Sequence, residues 1–207
     1  MPTTLLKDIA VTIEPLHRQA EAVLPTPYGD LRMIAYSQNE GEYAPHLALA
    51  HPDLDPNSEV VVRIHSECIT GDLFGSQRCD CGAQLDFALK AVAEKKGVVI
   101  YLRQEGRGIG IINKLKAYQL QDQGLDTIEA NLHLGLEIDA RHYDIAQQML
   151  VDLGISRIQL LTNNPEKIHA FDEGPIELVR RLPIVIDPTS DSAAYLDTKK
   201  QSMGHLL

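Results

Sequence analysis

The sequence predicts a mixed α/β (α+β) fold: one domain on a mixed sheet, with N-terminal strands followed by alternating β and α elements. Three observations carry this. Apolar, β-branched runs bounded by Pro, Asp and Asn fill the first third. The hydrophobic period lengthens to that of a helix at Leu85. From there helix-like and strand-like segments alternate, as in a sheet with a parallel portion. A chain of 207 residues suits one domain.

Residues 1–23 read as an N-terminal extension and 24–207 as the domain. "LPTPYGDLRMIAYS" (24–37) is a turn leading into a strand, and "APHLALAHP" (44–52) and "EVVVRIHS" (59–66) are further strands. Leu85, Ala88, Leu89, Val92 and Ala93 mark one face of a helix that Gly97 ends. "GVVIYLR" (97–103) is a buried strand, and "IGIINKLKAYQLQDQG" (109–124) is a helix closed near Gly124. Ala146, Met149, Leu150 and Leu153 mark the next helix, stopped by Gly154. "SRIQLLT" (156–162) is a strand. "NNPEKIHAF" (163–171) opens a short helix with Asn164 as N-cap and Pro165 at its first position. "IELVRRLPIVI" (176–186) closes the sheet.

Composition narrows the function. With 19 Lys plus Arg against 29 Asp plus Glu, the formal charge is −10, which disfavours non-specific binding to nucleic acid or an acidic membrane. An anionic ligand would need positive charge gathered locally. No apolar run approaches the roughly 18 residues of a membrane helix. The N-terminus lacks the basic and apolar regions of a secretory signal. Three cysteines are no disulfide framework, so the expected compartment is the reducing cytoplasm, where clustered cysteines point to metal or catalysis.

All three cysteines lie in "CITGDLFGSQRCDCG" (68–82), spaced C-x10-C-x-C. A structural zinc takes four protein ligands, whereas a catalytic zinc takes three and keeps one position for water. Such a metal lowers the pKa of that water to about 7. Cys68, Cys79 and Cys81 therefore suit a hydrolytic zinc. Two other readings stand beside this one: three ordinary buried thiols, or a closed site with His65 as fourth ligand.

"YLRQEGRGIGIINK" (101–114) runs from strand to helix through Gly106, Gly108 and Gly110, where backbone N–H groups and a helix N-terminus can meet phosphate. It is not the dinucleotide fingerprint, because Ile111 stands where the third glycine belongs. Asp126 keeps a nicotinamide reading open. Glu105 offers acceptors for a guanine-like edge and Arg107 a fork for phosphate. A plain strand-to-helix turn with solvated charges is the alternative. "RIHSE" (63–67) and "LTNNPEK" (161–167) also sit at predicted strand ends, where α/β sheets bind ligands.

Together these segments resemble GTP cyclohydrolase II. The resemblance rests on "RIHSECITGD", "GSQRCDCGAQL", "YLRQEGRGIGIINKLKAYQLQDQG", "DTIEAN", "LLTNNPEK" and "YLDTKKQSMGHLL", in the family order over about residues 24–207. It implies a zinc enzyme that opens the guanine imidazole ring of GTP at C8. Formate and pyrophosphate leave, and a diaminopyrimidinone ribosylamino 5′-phosphate, the first intermediate of riboflavin synthesis, remains. Cys68, Cys79 and Cys81 would hold one zinc per chain. Arg63, Ile64, His65, Ser66, Glu67, Gln84, Glu105, Gly106, Arg107, Thr127, Thr162 and Lys167 would contact GTP, with Glu105 on the guanine edge and the basic groups on the phosphates. Magnesium would accompany the triphosphate, and the protein would be a homodimer.

The resemblance also implies catalytic roles for Tyr118, Asp139 and Arg141. Tyr118 would orient the ring and a water. The family's D-x-R-x-Y element makes Asp139 a proton acceptor and Arg141 a nucleophile on the α-phosphate. A guanidinium, with pKa above about 12, is a poor nucleophile, so a clamp on phosphoryl charge is the plainer role. Residues two apart do not share a helix face, which places Asp139 at or before the start of the following helix. Capping that helix is the other reading of Asp139. "KIHAFDEGPIELV" and "HLGLEID" depart from the family pattern without touching an implied ligand. The resemblance covers no second catalytic domain, so dihydroxybutanone phosphate synthesis is not expected of this chain. Three rivals stand: a relative that opens the ring but keeps the formyl group, or an inactive homologue; a non-enzymatic zinc module; and a nicotinamide oxidoreductase.

Overall fold

The computed structural model describes residues 15–137 and 139–186. Seven strands form one mixed sheet: β1 (His17–Thr26), β2 (Gly29–Ser37), β3 (His46–Ala50), β4 (Val60–Ser66), β5 (Val98–Leu102), β6 (Arg157–Leu161) and β7 (Glu177–Leu182), in spatial order β1-β2-β3-β5-β4-β6-β7. The pairs β1–β2, β2–β3 and β3–β5 are antiparallel, whereas β4–β5, β4–β6 and β6–β7 are parallel. The parallel half lies where the sequence alternates, because parallel neighbours need long crossovers. Six helices supply them: α1 (Ile69–Asp72), α2 (Cys81–Lys95), α3 (Gly110–Gln121), α4 (Thr127–His133), α5 (Asp144–Asp152) and α6 (Pro165–His169).

The sheet buries both faces. On β4, Val60, Val62 and Ile64 join a core with Ala146, Met149 and Leu150 of α5. On β5, Val98, Ile100 and Leu102 enter that same core, whereas Val99 packs with Ala88 and Val92 of α2. Because side chains alternate along a strand, Arg63 and His65 fall on the α2 side. Alternation thus sends two polar side chains of a buried strand toward the helix that carries cysteine.

The predicted helices and strands appear with shifted ends, and three elements are new. Residues 17–23, assigned above to an extension, form the first part of β1. That edge strand is exposed almost throughout, so it carries no buried alternation to read. Helix α4 went unread although Asp126 and Glu129 form a complete capping box at its start. Helix α1 is one turn. Residues 1–14 and the tail "YLDTKKQSMGHLL" lie outside the described residues.

Candidate active site

Strands β4, β5 and β6 run parallel, so their carboxyl ends open on one rim. A cleft of about 1000 Å³ lies there. Every predicted site residue lines it except Ile64 and Asp139. Ile64 turns its side chain into the core and offers its carbonyl oxygen to Lys167 Nζ at 2.9 Å. Asp139 reaches the site by ion-pairing with Arg141, which does line the cleft.

The cysteines meet through two backbone devices. Cys68 leads into α1, and Cys81 is the first residue of α2, where the helix dipole favours a thiolate. The three sulfurs lie within 4.8 Å of one another, with Cys68 and Cys79 3.6 Å apart. Sulfurs around a tetrahedral zinc with bonds of about 2.3 Å stand roughly 3.8 Å apart, so the trio fits that ion. Hydrogen bonds from Cys79 and Cys81 hold the Cys68 thiol far below the ordinary range, with Lys114 adding to the effect. Among the described residues the group includes no fourth ligand. His65, the alternative donor, instead directs Nε2 to Asp72, 3.0 Å from Oδ1.

Asp72 organises this end of the cleft. Its Oδ2 accepts from Cys68 N at 2.9 Å and from the Tyr101 hydroxyl at 2.9 Å. Burial lowers the pKa of His65, which is therefore neutral at physiological pH and donates from Nε2 to this carboxylate. Its Nδ1 is buried without a hydrogen-bond partner among the described residues.

The glycine turn folds as one 3-10 turn, Glu105–Gly108. Gly106 and Arg107 both take left-handed φ, at 62° and 63°. For arginine that conformation is strained, a feature that concentrates at functional sites. Gly108, at φ 92°, lets Ala140 approach: an added Cβ would stand 3.0 Å from the Ala140 oxygen. Ala140 N donates to the Arg107 oxygen at 3.0 Å, which ties the Asp139–Arg141 segment to the turn. Glu105 lines the cleft, and its carboxylate is engaged within the protein. Its oxygens accept from Ile69 N at 2.6 Å, Gly106 N at 2.7 Å and Lys114 Nζ at 2.8 Å. A carboxylate offers about four acceptor sites, and among the described residues Oε2 accepts only from Ile69 N, so Glu105 keeps acceptor capacity for a ligand.

Asp139 precedes α5 by five positions, as the spacing argument requires, and does not cap it; Tyr143 is the N-cap. It accepts from Arg141 Nε at 2.8 Å and from Arg141 Nη2. Burial pushes the Asp139 carboxyl up, but the Arg141 hydrogen bonds outweigh that and hold it below the usual range. Arg63 is buried in the cleft lining and donates to Leu161 O at 3.0 Å and Gln84 Oε1 at 2.6 Å. Burial lowers its pKa to about 10, so it stays cationic at neutral pH. Lys167 and Thr162 line the same cleft.

Tyr118, one turn beyond Lys114 on α3, sits under the Arg78 guanidinium, 4.9 Å from its ring centre. Burial raises its pKa, so the phenol keeps its proton at neutral pH. Asp126 caps α4 through Ile128 N and Glu129 N, which removes the support it lent to a nicotinamide reading. Sequence reasoning missed Asp72, Arg78 and Lys114. All three fall inside quoted motifs, but no spacing rule marks them as partners of His65, Tyr118 and Cys68.

Residues 17–183 match the family model described as GTP cyclohydrolase II. The chain is 49% identical over 191 residues to the riboflavin biosynthesis protein RibBA of Bacillus cereus, covering 92% of this chain and 48% of that protein. It is 47% identical over 193 residues to RibBA of Chlorobium phaeovibrioides, covering 93% and 47%. With RibBA of Bacillus velezensis the identity is 50% over 194 residues, covering 93% and 48%. The chain thus spans about half the length of these curated relatives.

Proposed function

Because the chain belongs to the GTP cyclohydrolase II family of hydrolases, we propose that it opens the guanine ring of GTP at C8 in riboflavin biosynthesis. Formate and pyrophosphate leave, and 2,5-diamino-6-ribosylamino-4(3H)-pyrimidinone 5′-phosphate remains. The observation that carries this reading is the trio of thiols in a cleft that is also lined by Arg63, Arg107, Arg141 and Lys167. That cleft gathers positive charge against a net charge of −10, as a triphosphate site in an acidic protein must.

Cys68, Cys79 and Cys81 would hold one zinc. When bound, zinc supplies the Lewis acidity that brings a water's pKa to about 7. Tyr118, protonated and held under Arg78, would orient the base and hydrogen-bond a water. Arg63, Arg107, Thr162 and Lys167 would bind the phosphates, with magnesium carried on the triphosphate. His65, Ser66, Glu67, Gln84, Gly106 and Thr127 line the same cleft and would complete the GTP contacts. Arg141 would clamp the α-phosphate as pyrophosphate leaves. A carboxyl held below its usual range is a weak base, so Asp139 suits the role of aiming Arg141 better than that of taking its proton.

No helix among the described residues is long and apolar enough to cross a membrane. The family resemblance extends the reading to a cytoplasmic homodimer, which sedimentation would test. The function is tested by incubating the chain with GTP, zinc and magnesium and measuring formate, pyrophosphate and the pyrimidine product. Equal yields of formate and pyrophosphate are expected. Ring opening without formate would favour the relative that keeps the formyl group, and no reaction would overturn the assignment.

A further inference from the structure

Lys114 is 9% exposed, and none of the proposed roles uses it. Its ammonium lies 2.8 Å from Glu105 Oε1, 2.9 Å from Thr70 Oγ1 and 3.1 Å from Cys68 Sγ. An ammonium has three donors, and here each has an acceptor. We propose that Lys114, aimed by Glu105, is a positioning residue that draws charge out of the Cys68 sulfur and thereby keeps the bound metal electrophilic.

The inference rests on the zinc reading and deepens it. Three thiolates and one divalent cation carry a net negative charge. So rich a donor set weakens the metal's pull on water. A sulfur that also accepts a charge-assisted hydrogen bond donates less to its metal, and hydrogen bonds to ligating sulfur are a recognised means of tuning a centre. Burying the ammonium would be costly without its partners, and Glu105 supplies the opposite charge. The same carboxylate accepts from Ile69 N, one residue beyond Cys68, and so fixes both the cation and the backbone beside the ligand. Glu105 thus acts through Lys114 on the metal loop.

Cobalt(II) in place of zinc gives a direct readout. The full chain, Lys114→Met and Lys114→Gln are loaded with cobalt, and the thiolate-to-cobalt charge-transfer band is recorded with the metal-to-protein ratio. A thiolate relieved of its cation gives up charge more easily. The band should therefore move to longer wavelength in Lys114→Met, and by less in Lys114→Gln, which keeps a neutral donor. With zinc, kcat for GTP should fall about 10- to 100-fold while KM changes little. Unmoved bands in metal-loaded variants, or wild-type kcat, would overturn the inference. Should Lys114→Met fail to fold, the polar Lys114→Gln carries the same test alone. A wild-type chain with no charge-transfer band would sink the zinc reading together with the inference. A wild-type band that neither substitution moves would sink the inference only.

Discussion

Gly71 lies against Cys79 so closely that an added Cβ would stand 2.8 Å from Cys79 Sγ, and 3.3 Å from Cys68 Sγ. The single turn of α1 passes over the sulfurs, and only a residue without a side chain fits between. Gly71→Ala should spread the trio. Overpacking of this kind costs roughly 1–3 kcal/mol, or about 5- to 150-fold in zinc affinity if the strain falls on the site. Competition with a chromophoric chelator measures it, and unchanged affinity would mean that the turn yields without moving the thiols.

Arg78 bonds Asp122 at 2.7 Å and covers Tyr118. The ion pair is largely exposed and stabilises little, but the guanidinium fixes the ring's position. An exposed cation–π contact is worth about 0.5–1 kcal/mol. Arg78→Ala should therefore lower kcat by about two- to fivefold and leave zinc content intact, whereas Tyr118→Phe should cost far more. Steady-state kinetics beside metal analysis separates the two effects.

His65 gives the account a pH signature. Its folded pKa lies below the ordinary 6.5, chiefly through burial. Above pH of about 6.5 both folded and unfolded chains carry the imidazole neutral, and the stability is full. As pH falls from there toward the folded value, the unfolded chain takes up the proton first, and stability declines. Urea unfolding of wild type and His65→Gln from pH 7.5 to 5.5 should show a steeper decline in the wild type. Parallel slopes would mean that His65 does not carry the dependence.

Much of this was legible before the structure. The apolar face Leu85, Ala88, Leu89 and Val92 located α2, and Asn164 with Pro165 located the start of α6. The start of α2 at Cys81 was not legible, since the first turn holds a cysteine, a glycine and Gln84 in place of an apolar stripe. Convergence of the strand ends followed from parallel alternation. The pairing of Glu105 with Lys114 did not, because nine residues and a kinked turn separate them and only the fold brings them together. β1 escaped because an exposed edge strand leaves no buried periodicity.

Asp139 and Arg141 form a pair that suits a clamp. Rapid quench of the reaction with GTP labelled at the α-phosphate should yield no label on the protein. Asp139→Asn should raise KM and lower kcat together, since Arg141 loses its aim, and a protein-bound phosphoryl adduct in wild type would show that Arg141 attacks.

X-ray absorption at the zinc edge tests the central claim most directly, on the full chain purified in zinc. One zinc per chain should appear, with three sulfurs at about 2.3 Å and one oxygen at about 2.0 Å. A fourth ligand from the protein, or a chain that holds no zinc, would contradict the account.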